Sequence, residues 1–208
     1  MRAGASSRGI FQLAIKRAMD ILGAVVGLVL LSPIFAITAL VILLADGRPV
    51  LFIQERAGRY GKPFRIVKFR TMRVGADAER AELRARNEVD GASFKLTDDP
   101  RVTRTGHFLR RTSIDELPQL WNVLVGEMSL VGPRPHPFDD VAGYAEWHRR
   151  RLNVKPGVTG LWQISARSDP DFDTWVRLDL EYIDNWSLGM DLRILLGTIP
   201  ALLRSEGR

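Results

Sequence analysis

Hydrophobic and polar positions divide the chain into one long apolar run and a series of short patterned segments. Residues 21–45 form a stretch of 25 positions without a charge, roughly 37 Å as a straight helix against about 30 Å of bilayer hydrocarbon. Ser32-Pro33 interrupts it near the middle, where proline lacks an amide donor and its ring collides with the carbonyl four residues back, at Val29. Split there, each leg is roughly 17 to 20 Å long, and neither crosses a bilayer alone. Arg2, Arg8, Lys16 and Arg17 precede the run, and Arg48, Arg56, Arg59 and Lys62 follow it. The cytoplasmic preference of cationic flanks therefore pulls on both ends. A helix that dips into one leaflet and returns, with the Ser32 hydroxyl donating to a freed carbonyl, satisfies both observations. A single span kinked at proline is the alternative that the pattern leaves open. A cleaved signal peptide does not fit a run this long that no small-x-small site closes.

Beyond the run, residues 50–53 and 64–69 carry the composition of short strands, separated by a basic turn over residues 56–63. Residues 76–90 are densely charged and predict a solvated helix. Residues 188–204 mix Asp191 and Arg193 with Leu192, Ile194, Leu195, Leu196 and Ile199. That pattern suits a helix in the headgroup plane or one packed on the core, and the five tryptophans suit interface anchors or core alike. No internal repeat or low-complexity tract is visible.

Composition narrows the class. The 208 residues suffice for one domain with a substantial core. Thirty Lys+Arg against 24 Asp+Glu give a net charge of +6, a balance that suits nucleic acid, anionic lipid or a nucleotide substrate. The absence of cysteine excludes a disulfide scaffold and thiolate-bound zinc. His107, His136 and His148 lack metal-ligand spacing and read as ordinary polar side chains.

The most specific chemistry lies in S-I-D-E-L-P-Q-L-W-N-V-L, residues 113–124. Ser113 with Glu116 three positions later predicts a capping box, and Pro118 fits the first turn of a helix. Asp115 and Glu116 then sit where a helix dipole favours both ionised carboxylates and incoming phosphate. One ionised carboxylate can attack phosphorus, while its neighbour holds a divalent cation on the phosphate oxygens. Taken alone, the pair is more readily read as capping groups.

The surrounding segments decide between these readings: K-F-R-T-M (68–72), D-P-R-V-T-R-T-G-H-F-L-R-R (99–111), M-S-L-V-G-P-R-P (128–135) and K-P-G-V-T-G-L-W-Q (155–163). In that order and spacing the chain resembles the bacterial sugar transferases, the monotopic polyprenyl-phosphate phosphoglycosyl transferases, from about Lys16 to about Leu203. The resemblance implies a mixed α/β fold. Residues 1–47 would hold a re-entrant membrane helix broken at Ser32 and Pro33. Residues 48–208 would form a compact cytoplasmic catalytic domain with short strands and amphipathic interfacial helices. It implies transfer of a sugar 1-phosphate from a UDP-sugar to undecaprenyl phosphate at the inner leaflet of the bacterial cytoplasmic membrane, with release of UMP. Asp115 would be the nucleophile and Glu116 the ligand of Mg2+. Lys68, Arg70, Arg110, Pro133 and Arg134 would line the substrate, with Gln163 and Arg167 nearer the nucleotide and sugar. Guanidinium groups match phosphate oxygens through paired donors. Ala166 stands where many relatives have glycine, and the W-Q-x-S-x-R-S-D context leans toward glucose or galactose over an N-acetylated sugar.

Two other readings stay open on charge alone: a membrane-tethered module for nucleic acid or anionic lipid, and a magnesium phosphatase. Against the first stand the missing nucleic-acid motif and aromatic interleaving, so no nucleic-acid partner is expected. Against the second stands the lack of a D-x-D signature around Asp115. The sequence leaves open the oligomeric state, a homodimer included, and whether a longer protein carries further membrane helices.

Overall fold

The computed structural model describes residues 7–94 and 96–203; Arg2 and position 204, the end of the last apolar stretch, lie outside them. Helix α1 (Ser7–Leu30) gives way after Leu31 to α2 (Ser32–Ala45), and the two are bent by 59°. Pro33 occupies the first turn of α2, where its missing amide leaves no helical bond unmade. The Ser32 hydroxyl donates to the Val29 carbonyl at 2.8 Å, the carbonyl that proline deprives of its amide partner. Among the described residues no single helix is long and apolar enough to cross a bilayer, whereas the bent pair together is.

The first leg begins well before the charge-free run, so Lys16, Arg17 and Asp20 are helical residues and not a loose flank. All three turn toward the protein. Lys16 Nζ reaches Asp191 Oδ2 at 2.7 Å, Arg17 donates to the Val123 and Leu124 carbonyls, and Asp20 accepts from the Ser129 hydroxyl and the Leu130 amide. The opposite surface stays apolar and bare: Val29, Leu30, Ile37 and Leu44 are 65, 71, 63 and 77 % exposed.

Strands β1 (Leu51–Ala57) and β2 (Pro63–Phe69) pair antiparallel, from Leu51 opposite Phe69 to Ala57 opposite Pro63. Strand β1 runs four residues past the predicted end at 53, because its polar positions Gln54 and Arg56 alternate with partners in the ladder and need no apolar face. The basic turn shrinks accordingly, with Tyr60 in the left-handed region at φ 59°. The predicted helix over 76–90 is mostly absent: only α3 (Arg80–Leu83) and a 3-10 turn at Arg84–Arg86 form. A charged stretch with no apolar stripe to bury cannot sustain a short helix, and the Asn87 amide draws the chain into a loop by bonding the Val89 and Ser93 carbonyls.

Downstream come α4 (Arg104–Thr112), a 3-10 turn (Ile114–Glu116), α5 (Gln119–Val125), β3 (Ser129–Val131), α6 (Phe138–Ala142), β4 (Gly157–Thr159), α7 (Leu161–Ser165), α8 (Phe172–Asp184) and α9 (Leu188–Leu203). Strands β3 and β4 run parallel. They approach so closely that a Cβ on Gly157 would lie 2.1 Å from the Gly132 amide nitrogen. The glycines of G-P-R-P and K-P-G therefore serve each other.

Apolar clusters hold these pieces. Val123 and Met128 pack with Phe64, Ile66 and Ala24 of α1; Ile42 of α2 packs with Phe69 and Leu109; Trp162 and Trp175 stack at 4.6 Å beside Phe172 and Val176. Helix α9 divides its faces, with Ile194 fully buried and Leu192, Leu196 and Ile199 exposed. Trp162 and Trp175 are thus core residues, while Trp121 is exposed. His148 is a satisfied polar side chain, as expected: its ring accepts the Ala145 amide and meets Asp173 at 2.9 Å.

Candidate active site

Helix α4 begins at Thr103, whose hydroxyl accepts the Gly106 amide at 2.9 Å. It lies hard against β2's continuation, since a Cβ on Gly106 would come within 2.0 Å of the Thr71 carbonyl oxygen. The helix ends at Ser113, which takes the left-handed conformation at φ 55°, a region a residue with a side chain seldom enters. That reversal throws Ile114–Glu116 into a 3-10 turn facing β2. The predicted capping box does not form. Ser113 closes α4 instead of opening the next helix; its hydroxyl accepts from Arg167 Nη2 at 3.3 Å, and Glu116 turns away toward two cations.

Those cations come from separate elements. Lys68 alternates with Phe64 and Ile66 on β2 and so points to the same side, where its Nζ donates to Glu116 Oε1 at 2.9 Å. Arg134 of the G-P-R-P segment grips Glu116 with both terminal nitrogens, Nη1 to Oε2 at 3.0 Å and Nη2 to Oε1. Arg110, in the last turn of α4, donates from Nε to Thr71 Oγ1 at 3.0 Å and adds its charge to the field on Asp115. Asp115 itself is buried and carries no ion pair among those of the described residues.

The two neighbouring carboxyls are driven apart. Burial, and then the charge of Glu116, push Asp115 up to about 6 against the pull of Lys68, Arg110 and Arg134. Burial also pushes Glu116 up, but the charges and hydrogen bonds of Arg134 and Lys68 outweigh it and hold Glu116 well below the usual carboxylate range. The result is one readily ionised carboxylate paired with two cations and one unpaired, more basic carboxylate beside it. Divergent environments of this kind separate two chemically identical groups into different roles.

A cavity of about 1500 Å³ opens in front of the pair and is bordered by Lys68, Arg70, Arg110, Arg134, Gln163 and Arg167. Not all of them present free polar groups to it. Arg70 is 5 % exposed and clamps the end of α2, with Nη2 donating to the Asp46 and Gly47 carbonyls at 2.6 and 2.9 Å. Gln163 donates to the Val158 carbonyl at 3.0 Å. Pro133 contributes backbone, its carbonyl accepting the Gly157 amide at 2.8 Å. Two residues not singled out in the sequence also serve the site: Thr71, which orients Arg110, and Arg56, which donates to the Pro135 carbonyl at 3.2 Å. Thr71 lies within K-F-R-T-M, so its segment was visible though its role was not.

With this arrangement in view, comparison with known proteins is decisive. The family model for bacterial sugar transferases matches residues 11–205. The chain belongs to this family. It is 49 % identical over 196 residues to the galactosyl transferase CpsE of Streptococcus agalactiae serotype III, covering 94 % of this chain and 43 % of that protein. It is 43 % identical over 194 residues to the UDP-glucose:undecaprenyl-phosphate glucose-1-phosphate transferase of Escherichia coli K12, covering 89 and 39 %. To the exopolysaccharide production protein ExoY of Rhizobium meliloti it is 44 % identical over 196 residues, covering 92 and 87 %. The chain thus spans about two fifths of the length of the first two relatives and most of ExoY. As a bacterial sugar transferase, it carries both carboxylates and all the candidate phosphate-binding cations inside the matched region.

Proposed function

We propose that this chain transfers a sugar 1-phosphate from UDP-galactose or UDP-glucose to undecaprenyl phosphate, the opening membrane step of a polysaccharide, by way of a covalent aspartyl intermediate. The observation that carries the reading is the divided pair: Asp115 unpaired and raised to about 6, Glu116 locked between Lys68 and Arg134. The names of the relatives support the donor and acceptor, two of them specifying galactose or glucose transfer.

In this mechanism an Asp115 oxygen attacks the sugar-bearing phosphorus. The bond from that phosphorus to the bridging oxygen breaks, and UMP departs with the electron pair. Lys68, Arg110 and Arg134 supply positive charge where the phosphate oxygens gather it. An oxygen of undecaprenyl phosphate then attacks the same phosphorus, the bond to Asp115 breaks, and the carboxylate is restored. A raised Asp115 favours the first attack, since a more basic carboxylate is the stronger nucleophile while remaining ionised above pH 7.

The donor set fits magnesium. No group of three or more His, Asp or Glu that could hold a metal gathers among the described residues. Asp115 and Glu116 nevertheless offer two hard carboxylates, and among the described residues Glu116 Oε2 accepts a single hydrogen bond, from Arg134. Magnesium is commonly held by one or two carboxylates, with water and substrate phosphate completing its shell. Bound there, it would neutralise charge on the diphosphate; the protein's own part is to hold Glu116 ionised and oriented for it.

The bent pair α1 and α2 is read as re-entrant, with both ends and the catalytic domain on the cytoplasmic face of the inner membrane. Its bare apolar surface and the Ser32-Pro33 break support this. The test of function is UMP release from a panel of UDP-sugars with undecaprenyl phosphate. Turnover with UDP-galactose or UDP-glucose, abolished by chelation of magnesium, is expected; activity only with an N-acetylated donor would overturn the sugar assignment.

A further inference from the structure

The G-P-R-P segment has few amides with which to anchor itself, since Pro133 and Pro135 have none. It is held by its carbonyls. Four in succession accept hydrogen bonds: Pro133 from the Gly157 amide at 2.8 Å, Arg134 from Arg151 Nη2 at 3.4 Å, Pro135 from Arg56 Nη1 at 3.2 Å and His136 from the Ala57 amide at 3.1 Å. At Arg134, the residue that grips Glu116, the donor is a side chain from a distant stretch of chain. Arg151 is 2 % exposed. Its guanidinium pairs with Asp179 of α8, itself 1 % exposed, and Nη1 donates to the Tyr144 hydroxyl at 3.0 Å. A buried ion pair contributes little stability relative to apolar residues of the same volume, so stability alone does not account for a charged pair at this place. Its geometry does: Nη2 donates both to Asp179 and to the Arg134 carbonyl, and Nη1 is held by the Tyr144 hydroxyl, so the pair that fixes the guanidinium also aims it at the Arg134 backbone.

We propose that Arg151, oriented by Asp179, is a positioning residue that fixes the Arg134 backbone so that its guanidinium meets Glu116 squarely. The catalytic consequence rests on the function proposed above; the structural one does not. Small misplacements of a charge-stabilising group lower rates by up to about a hundredfold.

The test uses Arg151→Lys, which retains the charge opposite Asp179 but cannot reach both Tyr144 and the Arg134 carbonyl. In its crystal structure the Arg134 side chain is expected to have left Glu116. With UDP-galactose or UDP-glucose and undecaprenyl phosphate, kcat per folded molecule should fall at least tenfold. In an Arg134→Ala background the same change should lower kcat less than twofold, because effects that pass through one group do not multiply. The pair replacement Arg151→Met with Asp179→Leu should restore the thermal midpoint without restoring kcat. An intact Arg134–Glu116 pair in Arg151→Lys, losses that multiply with Arg134→Ala, or recovery of kcat along with stability would each overturn the proposal. A parent protein inert with both donors would instead refute the assigned reaction, leaving the crystallographic result to decide the positioning.

Discussion

Asp115 and Glu116 are adjacent and chemically alike, yet Glu116 receives Lys68 and Arg134 while Asp115 is left without an ion pair. The difference has a signed consequence. A carboxyl raised from 3.8 to about 6 holds its proton more tightly folded than unfolded. Its contribution to stability is therefore present below about pH 4 and is lost as pH climbs through about 6. At pH 7.5, without magnesium or donor, Asp115→Asn should thus melt a few degrees higher than the parent, each pKa unit being worth about 1.4 kcal/mol. A lower melting point would contradict the burial account. For the same reason kcat/KM should rise with pH through about 6 and level off above it, following ionisation of the nucleophile. Glu116→Gln should behave oppositely in stability. It leaves Lys68 and Arg134 facing a neutral amide, so we expect a loss on the order of 1–3 kcal/mol and at least a hundredfold fall in turnover. Retention of both by Glu116→Gln would reduce Glu116 to a bystander.

Among the elements, those governed by local covalent geometry were legible in the sequence and those governed by tertiary competition were not. The break at Ser32-Pro33 was readable because a missing amide and a ring clash act within four residues, and the Ser32 hydroxyl lands on the Val29 carbonyl. The hairpin of β1 and β2 was readable from its apolar ends, though not the length of β1, whose polar middle is fixed by pairing. The capping box was misread because Ser-x-x-Glu spacing is equally met by a serine that closes the preceding helix. What tips the balance is Lys68 and Arg134, 48 and 18 residues from Glu116. The missing helix over 76–90 shows that charge patterning cannot substitute for a face to bury. The bent pair carries its own prediction. The chain has no cysteine, so Gln12→Cys and Lys62→Cys provide clean topology probes. Both should react with an impermeant thiol reagent only from the cytoplasmic side; reaction of position 12 from outside would establish a span and refute the re-entrant reading. Pro33→Ala should weaken the bend and allow some chains to cross.

On the scale of the molecule, the apolar helices and the site form one unit. Helix α1 packs through Ala24 on the cluster containing Val123 and Met128, and α2 packs through Ile42 on Phe69 and Leu109. The strand that bears Lys68 and the helices on either side of the carboxylate turn are thus braced by the helices that would enter the bilayer. On the proposed function, such bracing would put a water-soluble donor and a lipid acceptor within reach of a single carboxylate, which a covalent intermediate would let them use in turn. The family, the order of its motifs and, through the resemblance, the roles expected of the two acids were visible in the sequence; the contrast in their surroundings was not, because it arises from burial and from cations contributed by three separate elements. The central claim is that Asp115 becomes covalently phosphorylated by the donor. Its most direct measurement is incubation of the protein with magnesium and UDP-galactose or UDP-glucose in the absence of undecaprenyl phosphate, with UMP quantified and the intact protein weighed by mass spectrometry. The account predicts at most about one UMP per active site, a mass increase of one sugar phosphate, and loss of both in Asp115→Asn. Continued turnover by Asp115→Asn, or UMP release that strictly requires the lipid acceptor, would contradict it.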